Sequence, residues 1–388
     1  SLVIAFLASV STAVVADETA PTLVLSGLST TVLDGTTALG SVSANESVTW
    51  SVSGNAAFSE STTIGSKAGD TYSVAIGDVN GDGHLDVVAG NEEQKNKLSL
   101  GDTSGRFYPG RKFGSETGKT YSVALVNFDG DDHLDMVVGN YDQNNKRYLS
   151  DGDGGFYSGR KVGSETGTTH SVATGHFDDD GHLDVVAGNR RQKNTLYLGR
   201  ADGGFVLGTK FGSETDDTRS LAVEDVNGDG HPDVVAGNLK GQNKVYLGDG
   251  IGGFVSPVIE FGSGTDNTLS VAIGHFNDDG HFDVVVGNYN ERNKLYLGNG
   301  SGEFVSGTDI GSKAGATYSV AIGDVNGDTH FDVLEGKSRG LNETNKLYLG
   351  DGSGGFASGT DIGSQEDSTR SVALGDVNGD SRLDVVAG

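Results

Sequence analysis

Cysteine is absent from the 388-residue chain, so no disulfide braces it, and stability must come from packing, hydrogen bonds or bound ions. Proline is scarce, at 4 residues, and methionine and tryptophan occur once each. No ten-residue stretch carries a 3.6-residue helical period, which removes helix-built folds from consideration. Basic residues are few, 27 against 54 acids, and the formal net charge is −27. That balance argues against a nucleic-acid partner, because no cationic field is present to displace counterions from phosphate. A long apolar run is missing too. Leu2 to Ala8, followed by Ala13-Val14-Val15-Ala16, is too short to span a bilayer. It reads as the apolar core and small-residue cleavage site of a secretory leader without its basic start. Residues 1–16 are therefore expected to be an incomplete signal peptide, and the protein to be secreted or on a cell surface. A buried strand is the alternative reading of the same residues.

Glycine is abundant, at 63 residues, and has no triplet period, which excludes collagen and points to many tight turns. A long repeat organises it. Asp78-Val79-Asn80-Gly81-Asp82-Gly83-His84-Leu85-Asp86 returns with starts at Asn127, His176, Asp225, His275, Asp324 and Asp376, in steps of 49, 49, 49, 50, 49 and 52 residues. Each unit reads as four short strands. In the second, Tyr121 to Leu125, Leu134 to Gly139, Lys146 to Leu149 and Phe156 to Val162 are separated by glycine-rich turns. Four strands on a period near 50 give an all-β fold, a seven-bladed β-propeller over residues 48–388.

The ends of the repeat array are complementary. A strand-three aromatic lies eight residues before the strand-four phenylalanine in Tyr148 and Phe156, Tyr197 and Phe205, Tyr246 and Phe254, Tyr296 and Phe304, and Tyr348 and Phe356. Trp50 and Phe58 keep that spacing upstream of every loop, whereas Ser371 to Gly388 supplies only strands one and two. A seventh blade assembled from both ends is expected, leaving no open sheet edge. Truncation at Gly388, with Trp50 in an unrelated strand, is the alternative. Residues 17–47 read as a linker or an added edge strand.

The repeated loop, Asp-x-Asn-x-Asp-Gly-x-x-Asp, is read as a calcium site. Calcium takes about six to eight oxygen ligands, and positions one, three, five and nine with the backbone carbonyl at seven can wrap one ion. Glycine at position six permits the turn. The first, fourth, sixth and seventh copies keep the full set: Asp78, Asn80, Asp82, Asp86; Asp225, Asn227, Asp229, Asp233; Asp324, Asn326, Asp328, Asp332; and Asp376, Asn378, Asp380, Asp384. The second begins with Asn127 and carries Asp129, Asp131 and Asp135. The third (His176, Asp178, Asp180, Asp184) and fifth (His275, Asn277, Asp279, Asp283) begin with histidine and are expected to be the weakest of up to seven sites. Position seven is His84, His133, His182, His231, His281, His330 and Arg382. Zinc on those imidazoles is the alternative, but Arg382 cannot ligate. Ordinary Asx-turn chemistry is the bland reading of any single copy. Thr329 at position six of the sixth copy is β-branched where a left-handed backbone is needed.

Phe113-Gly114-Ser115, Phe211-Gly212-Ser213, Phe261-Gly262-Ser263 and the Asp-Val-Asn-Gly-Asp-Gly loop resemble the FG-GAP repeats of integrin α-subunit propellers and the related VCBS repeats of bacterial secreted proteins. The Gly-Ala-Pro element has no counterpart. The resemblance implies a cation in the hairpin between strands one and two, and a binding face at the opposite end. The loops expected on that face vary and carry Tyr141, Arg190, Arg191, Lys240, Tyr289, Arg292 and Arg339. Members of such families serve in adhesion, in sugar binding, and beside or within secreted hydrolases and lyases. The expected function is thus a protein- or glycan-binding adhesion module, with a lectin as the near alternative and a polysaccharide-degrading enzyme as the remote one. Gly336 to Gly340 matches G-x-S-x-G but falls between strands, and Gly248 to Gly253 and Gly350 to Gly355 match G-x-G-x-x-G before strands, not helices.

Overall fold

The computed structural model describes the backbone of strands at 3–6, 12–17, 20–25, 31–33, 48–53 and 57–63, then residue 64 and residues 70–388 apart from 110, 115–117, 306, 338–343 and 364–367. Among the described residues there are strands and turns but no helix.

In the first blade, Thr71–Gly77, Asp86–Asn91, Asn96–Ser99 and Arg111–Phe113 pair in sequence order as an antiparallel sheet. The pattern repeats in every unit. Strand two is buried on both faces throughout, as in Asp86–Asn91 and Asp184–Asn189, because its neighbours in the sheet and the adjoining blades cover it. Its valines, Val87 and Val88 among them, each contribute about 1.5–3 kcal/mol of burial. Seven apolar clusters fill the gaps between successive blades. The last of them joins Val377 and Val386 to Ile64, Val74 and Val87, across the junction of the two ends of the chain.

That junction is the seventh blade. Its strand order is Val372–Gly375, Asp384–Ala387, Val48–Ser53 and Ala57–Thr63, with Val385 opposite Trp50 and Ala387 opposite Val48. The innermost strands complete the ring by a circuit of hydrogen bonds. The amides of Val123, Val172, Leu221, Val271, Val320, Val372 and Val74 donate to the hydroxyls of Ser73, Ser122, Ser171, Ser220, Ser270, Ser319 and Ser371, at 3.0–3.1 Å. Each bond crosses from one blade to the next, and the last returns to the first blade.

One feature departs from the four-strand reading of each unit. The fifth and sixth blades share a six-stranded sheet, because Asp283–Tyr296 and Thr308–Gly323 run unbroken through what are turns in the other blades. Tyr289 pairs with Ala316 and Glu291 with Gly315 there, so the loop itself becomes ladder. Ahead of the ring, Val3–Phe6, Thr12–Asp17, Ala20–Leu25 and Thr31–Leu33 form a four-stranded antiparallel meander.

Acidic loops and the opposite face

Every acidic loop is the hairpin between strands one and two, so the ring gathers them at one end. The first loop is wound around its own carboxylates. Asp78 Oδ1 accepts the amides of Gly81 (2.7 Å) and Asp82 (3.1 Å), and Oδ2 accepts that of Gly83 (2.8 Å). Asp225, Asp324 and Asp376 repeat this triple contact in the fourth, sixth and seventh copies. Positions four and six are left-handed throughout: Gly81 and Gly83 have φ of 72° and 84°, and Thr329 occupies position six at 73° despite its branched Cβ. Asp132 and Ser381 adopt the same conformation in the second and seventh copies.

Histidine at position one changes the loop. His176 Nδ1 lies 3.1 Å from the His182 carbonyl, and His275 Nδ1 lies 2.9 Å from that of His281. The position-seven carbonyl is therefore engaged by imidazole in the third and fifth copies. In the second, Asn127 accepts only the Gly130 amide at the same position. The position-seven side chains take another role, for His133, His231, His281 and His330 sit against the strand three-to-four turn glycines Gly152, Gly250, Gly300 and Gly352.

Position nine opens strand two and is buried. Asp86, Asp135, Asp184, Asp233, Asp283 and Asp332 are 0% exposed. Asp86 Oδ2 accepts the Val79 amide (2.9 Å) and Oδ1 the Gly101 amide (3.0 Å), tying the acidic loop to the turn between strands three and four. Burial raises the carboxyls of Asp86, Asp233 and Asp384 to about 6; bonded amides oppose the rise, and the carboxylates at positions five and one add to it. Among the described residues, no three His, Cys, Asp or Glu side chains already converge as a metal cluster. In the first, second, fourth, sixth and seventh copies the donors are instead an all-oxygen set spread along the loop, of the kind a hard cation takes, whereas His176 and His275 put a ring nitrogen at position one of the third and fifth.

At the other end lie the turns between strands two and three. Their apex residues Glu93, Asp142, Arg191 and Lys240 are all left-handed, as is Asn290 at the equivalent position of the unbroken fifth-blade strand, with φ of 50–62°. The apex amides of Glu93, Arg191 and Lys240 donate to the carbonyls of Gly118, Asp216 and Asp266 on the connection into the next blade, at 2.7–2.9 Å. Among the described residues, this end thus repeats one backbone conformation in five blades and presents a different side chain from each.

The expected face residues divide. Tyr141 and Tyr289 lean edge-on against the inner-strand tyrosines Tyr121 and Tyr318, at 5.4 and 5.8 Å between ring centroids. Arg190 and Arg191 both approach Asp217, at 3.7 and 4.0 Å. Lys240 is exposed at its apex. Arg292 is committed to Asp309 at 2.6 Å on the outer strands, away from the others. Arg339 lies outside the described residues. Gly248 to Gly253 and Gly350 to Gly355 are tight hairpins closed by Asp249 and Asp351, not phosphate cradles.

The sequence reading passed over the inner strand. Thr-x-Ser followed by Val or Leu recurs in all seven units, its serine forming the circuit above. Its middle residues, Tyr72, Tyr121, His170, Arg219, Leu269, Tyr318 and Arg370, line a cavity on the axis. Nor did it assign the FG glycines a role. Phe211, Tyr246 and Phe254 form an aromatic triad across a blade junction, with centroids 4.4–5.9 Å apart. Gly212, left-handed at φ 77°, leaves room for the Tyr246 hydroxyl, which a Cβ would approach to 2.9 Å.

The FG-GAP-like repeat family matches the chain over residues 33–89, 78–138, 127–187, 176–236, 225–286, 275–335 and 338–387. No curated protein matches it in sequence. Among solved structures it is similar to the BP39L lectin from Burkholderia pseudomallei, at 17% identity and a TM-score of 0.60, over 82% of this chain and 92% of the lectin. It is also similar to BBS1N in complex with ARL6DN, soaked with lead, at 11% identity and a TM-score of 0.58, over 82% of this chain and 93% of BBS1N. Those identities carry the fold alone. With its matches running from residue 33 to residue 387, the chain belongs to the FG-GAP-like repeat family.

Proposed function

We propose that the chain is a secreted, calcium-stiffened β-propeller that binds a protein or a surface glycan through the end opposite its acidic loops, without catalysis. One observation carries the binding reading. Five equivalent positions beyond strand two share one backbone conformation while their side chains run from Glu93 and Asp142 to Arg191, Lys240 and Asn290. Constant backbone under changing side chains is how rigid scaffolds build recognition surfaces. The likeness to a lectin and to a propeller solved with a protein partner is consistent with either ligand.

Calcium is the reading that best suits the acidic loops. The first, fourth, sixth and seventh copies offer side-chain oxygens at positions one, three, five and nine with a position-seven carbonyl that no imidazole engages. The ion would supply positive charge among carboxylates that now rely on backbone amides. The third and fifth copies are the weak ones, since His176 and His275 replace a carboxylate and engage that carbonyl. Secretion rests on the apolar start of the chain.

The test is a glycan array together with capture from extracellular extracts, each run in millimolar calcium and in EGTA. The expected result is a calcium-dependent ligand whose binding falls with Arg191→Glu and Lys240→Glu. Binding that survives both reversals and EGTA would remove the face and the ion from the function together.

A further inference from the structure

The axial cavity stands apart from the variable turns. It holds about 310 Å³ and receives one side chain from each blade: Tyr72, Tyr121, His170, Arg219, Leu269, Tyr318 and Arg370. The size is at the low end of small-molecule sites, which run from about 300 to 1,000 Å³.

Its wall is ordered. Tyr72 stacks on Tyr121 at 4.6 Å, and Tyr121 stacks on His170 at 4.9 Å, with interplanar angles of 22° and 27°. Rings stacked on one another cover each other's faces and leave their edges as the accessible part, and aromatic edges carry the positive end of the quadrupole. Arg370 sits over Tyr72 at 4.4 Å and Tyr318 at 5.4 Å.

The charges are unevenly satisfied. Arg219 holds Asp217 through two hydrogen bonds, of 2.7 and 3.2 Å. Lys119 holds Glu92 at 2.8 Å and Glu93 at 3.3 Å, and the Tyr72 hydroxyl also bonds Glu92. Among the described residues Arg370 has no carboxylate within ion-pair distance. His170 Nε2 is buried with no hydrogen-bond partner. Burial, with the charges of Arg219 and Arg190, keeps this imidazole neutral, its pKa lowered to about 3. A chain of net charge −27 therefore lines its axis with a guanidinium that no carboxylate of the described residues pairs, an orphan imidazole nitrogen and a stack of aromatic rings. Leu269 adds an apolar contact.

We propose that this axial cavity binds a small organic acid, with its carboxylate on the Arg370 guanidinium, His170 Nε2 as a polar group facing the body of the acid further round the ring, and the stacked rings as its wall. A guanidinium takes a carboxylate through paired hydrogen bonds, and among the described residues Arg370 is the cavity's guanidinium that packs on rings without pairing a carboxylate. The inference rests on the reading of this end as the binding end. It differs from that reading in needing neither calcium nor the turn apexes.

The test is calorimetry on the full chain with D-glucuronate, benzoate and D-glucose, run on wild type, Arg370→Gln and Tyr318→Leu. The expected result is binding of glucuronate or benzoate, none of glucose, and at least about tenfold weaker binding in Arg370→Gln. Whichever acid binds tighter identifies the body the cavity takes, a sugar or an aromatic ring. Unchanged circular dichroism in both variants separates lost contact from lost fold. No acid binding at tens of millimolar, glucose binding equal to glucuronate, or an indifferent Arg370→Gln would overturn the proposal. Glycan or protein capture by the turns would stand in any of those cases.

Discussion

Among the described residues, the sixth blade alone contains an ion pair with both partners buried. Glu335 and Lys337 are 1% and 3% exposed, with Lys337 Nζ 3.2 Å from Glu335 Oε2, and the Asn293 amide donates to Oε1. The equivalent positions elsewhere are apolar and asparagine: Ala89 and Asn91, Val138 and Asn140, Ala187 and Asn189. Burial pushes the Glu335 carboxyl up, and Lys337 pulls it back. Glu335→Ala takes the 3.2 Å carboxylate away from a buried ammonium and should destabilise the protein by about 3–5 kcal/mol. Lys337→Asn added to it restores the pattern of the other blades and should recover most of that loss, or exceed wild type by about 1–4 kcal/mol. Urea unfolding of the wild type, both single variants and the double variant, followed by circular dichroism, measures the coupling. A Glu335→Ala loss below about 1 kcal/mol, or a double variant no better than that single one, would refute the reasoning.

Three further outcomes are expected. Ser270→Ala breaks one bond of the inner circuit and leaves the Val320 amide buried without a partner, a loss of about 1–3 kcal/mol by thermal or urea unfolding. Thr329→Gly relieves a left-handed β-branched residue and should raise stability by roughly 1 kcal/mol; a loss would mean the Thr329 side chain does something else. His170 is held neutral in the fold, its ring on Tyr121 and near Arg190 and Arg219, while the unfolded chain protonates near pH 6.5. The unfolded state then binds the extra proton, so stability falls by up to about 1.4 kcal/mol per pH unit below about pH 6.5, a slope His170→Phe should remove.

Much of the architecture was legible from spacing. The eight-residue interval between Trp50 and Phe58 placed them as strands three and four of an incomplete blade, and Val48–Ser53 indeed pairs with Asp384–Ala387. Thr329 was recognisable because a left-handed position constrains a single residue. The serine circuit was not, since each donor and acceptor come from different blades and no local pattern says which Ser faces which amide. The same holds for position nine. Asp86 reads as an ion ligand by type, yet its oxygens also clasp Val79 and Gly101, the latter in a different hairpin. The merged fifth and sixth blades depend on the pairing of Glu291 with Gly315, which glycine-rich composition disguises as a turn.

The central claim is that the acidic loops hold calcium that stiffens the ring. Thermal unfolding by circular dichroism, in excess EGTA and then with titrated calcium, tests it most directly. Binding to the folded state alone adds about 2.7 kcal/mol per site at a hundredfold excess over Kd. A large calcium-dependent rise in Tm is expected, with β-signal throughout, and a further rise when His176→Asp and His275→Asp complete the weak loops. An unchanged Tm in wild type and variant alike would reduce the loops to ordinary turns and leave calcium no part in the ring's stability.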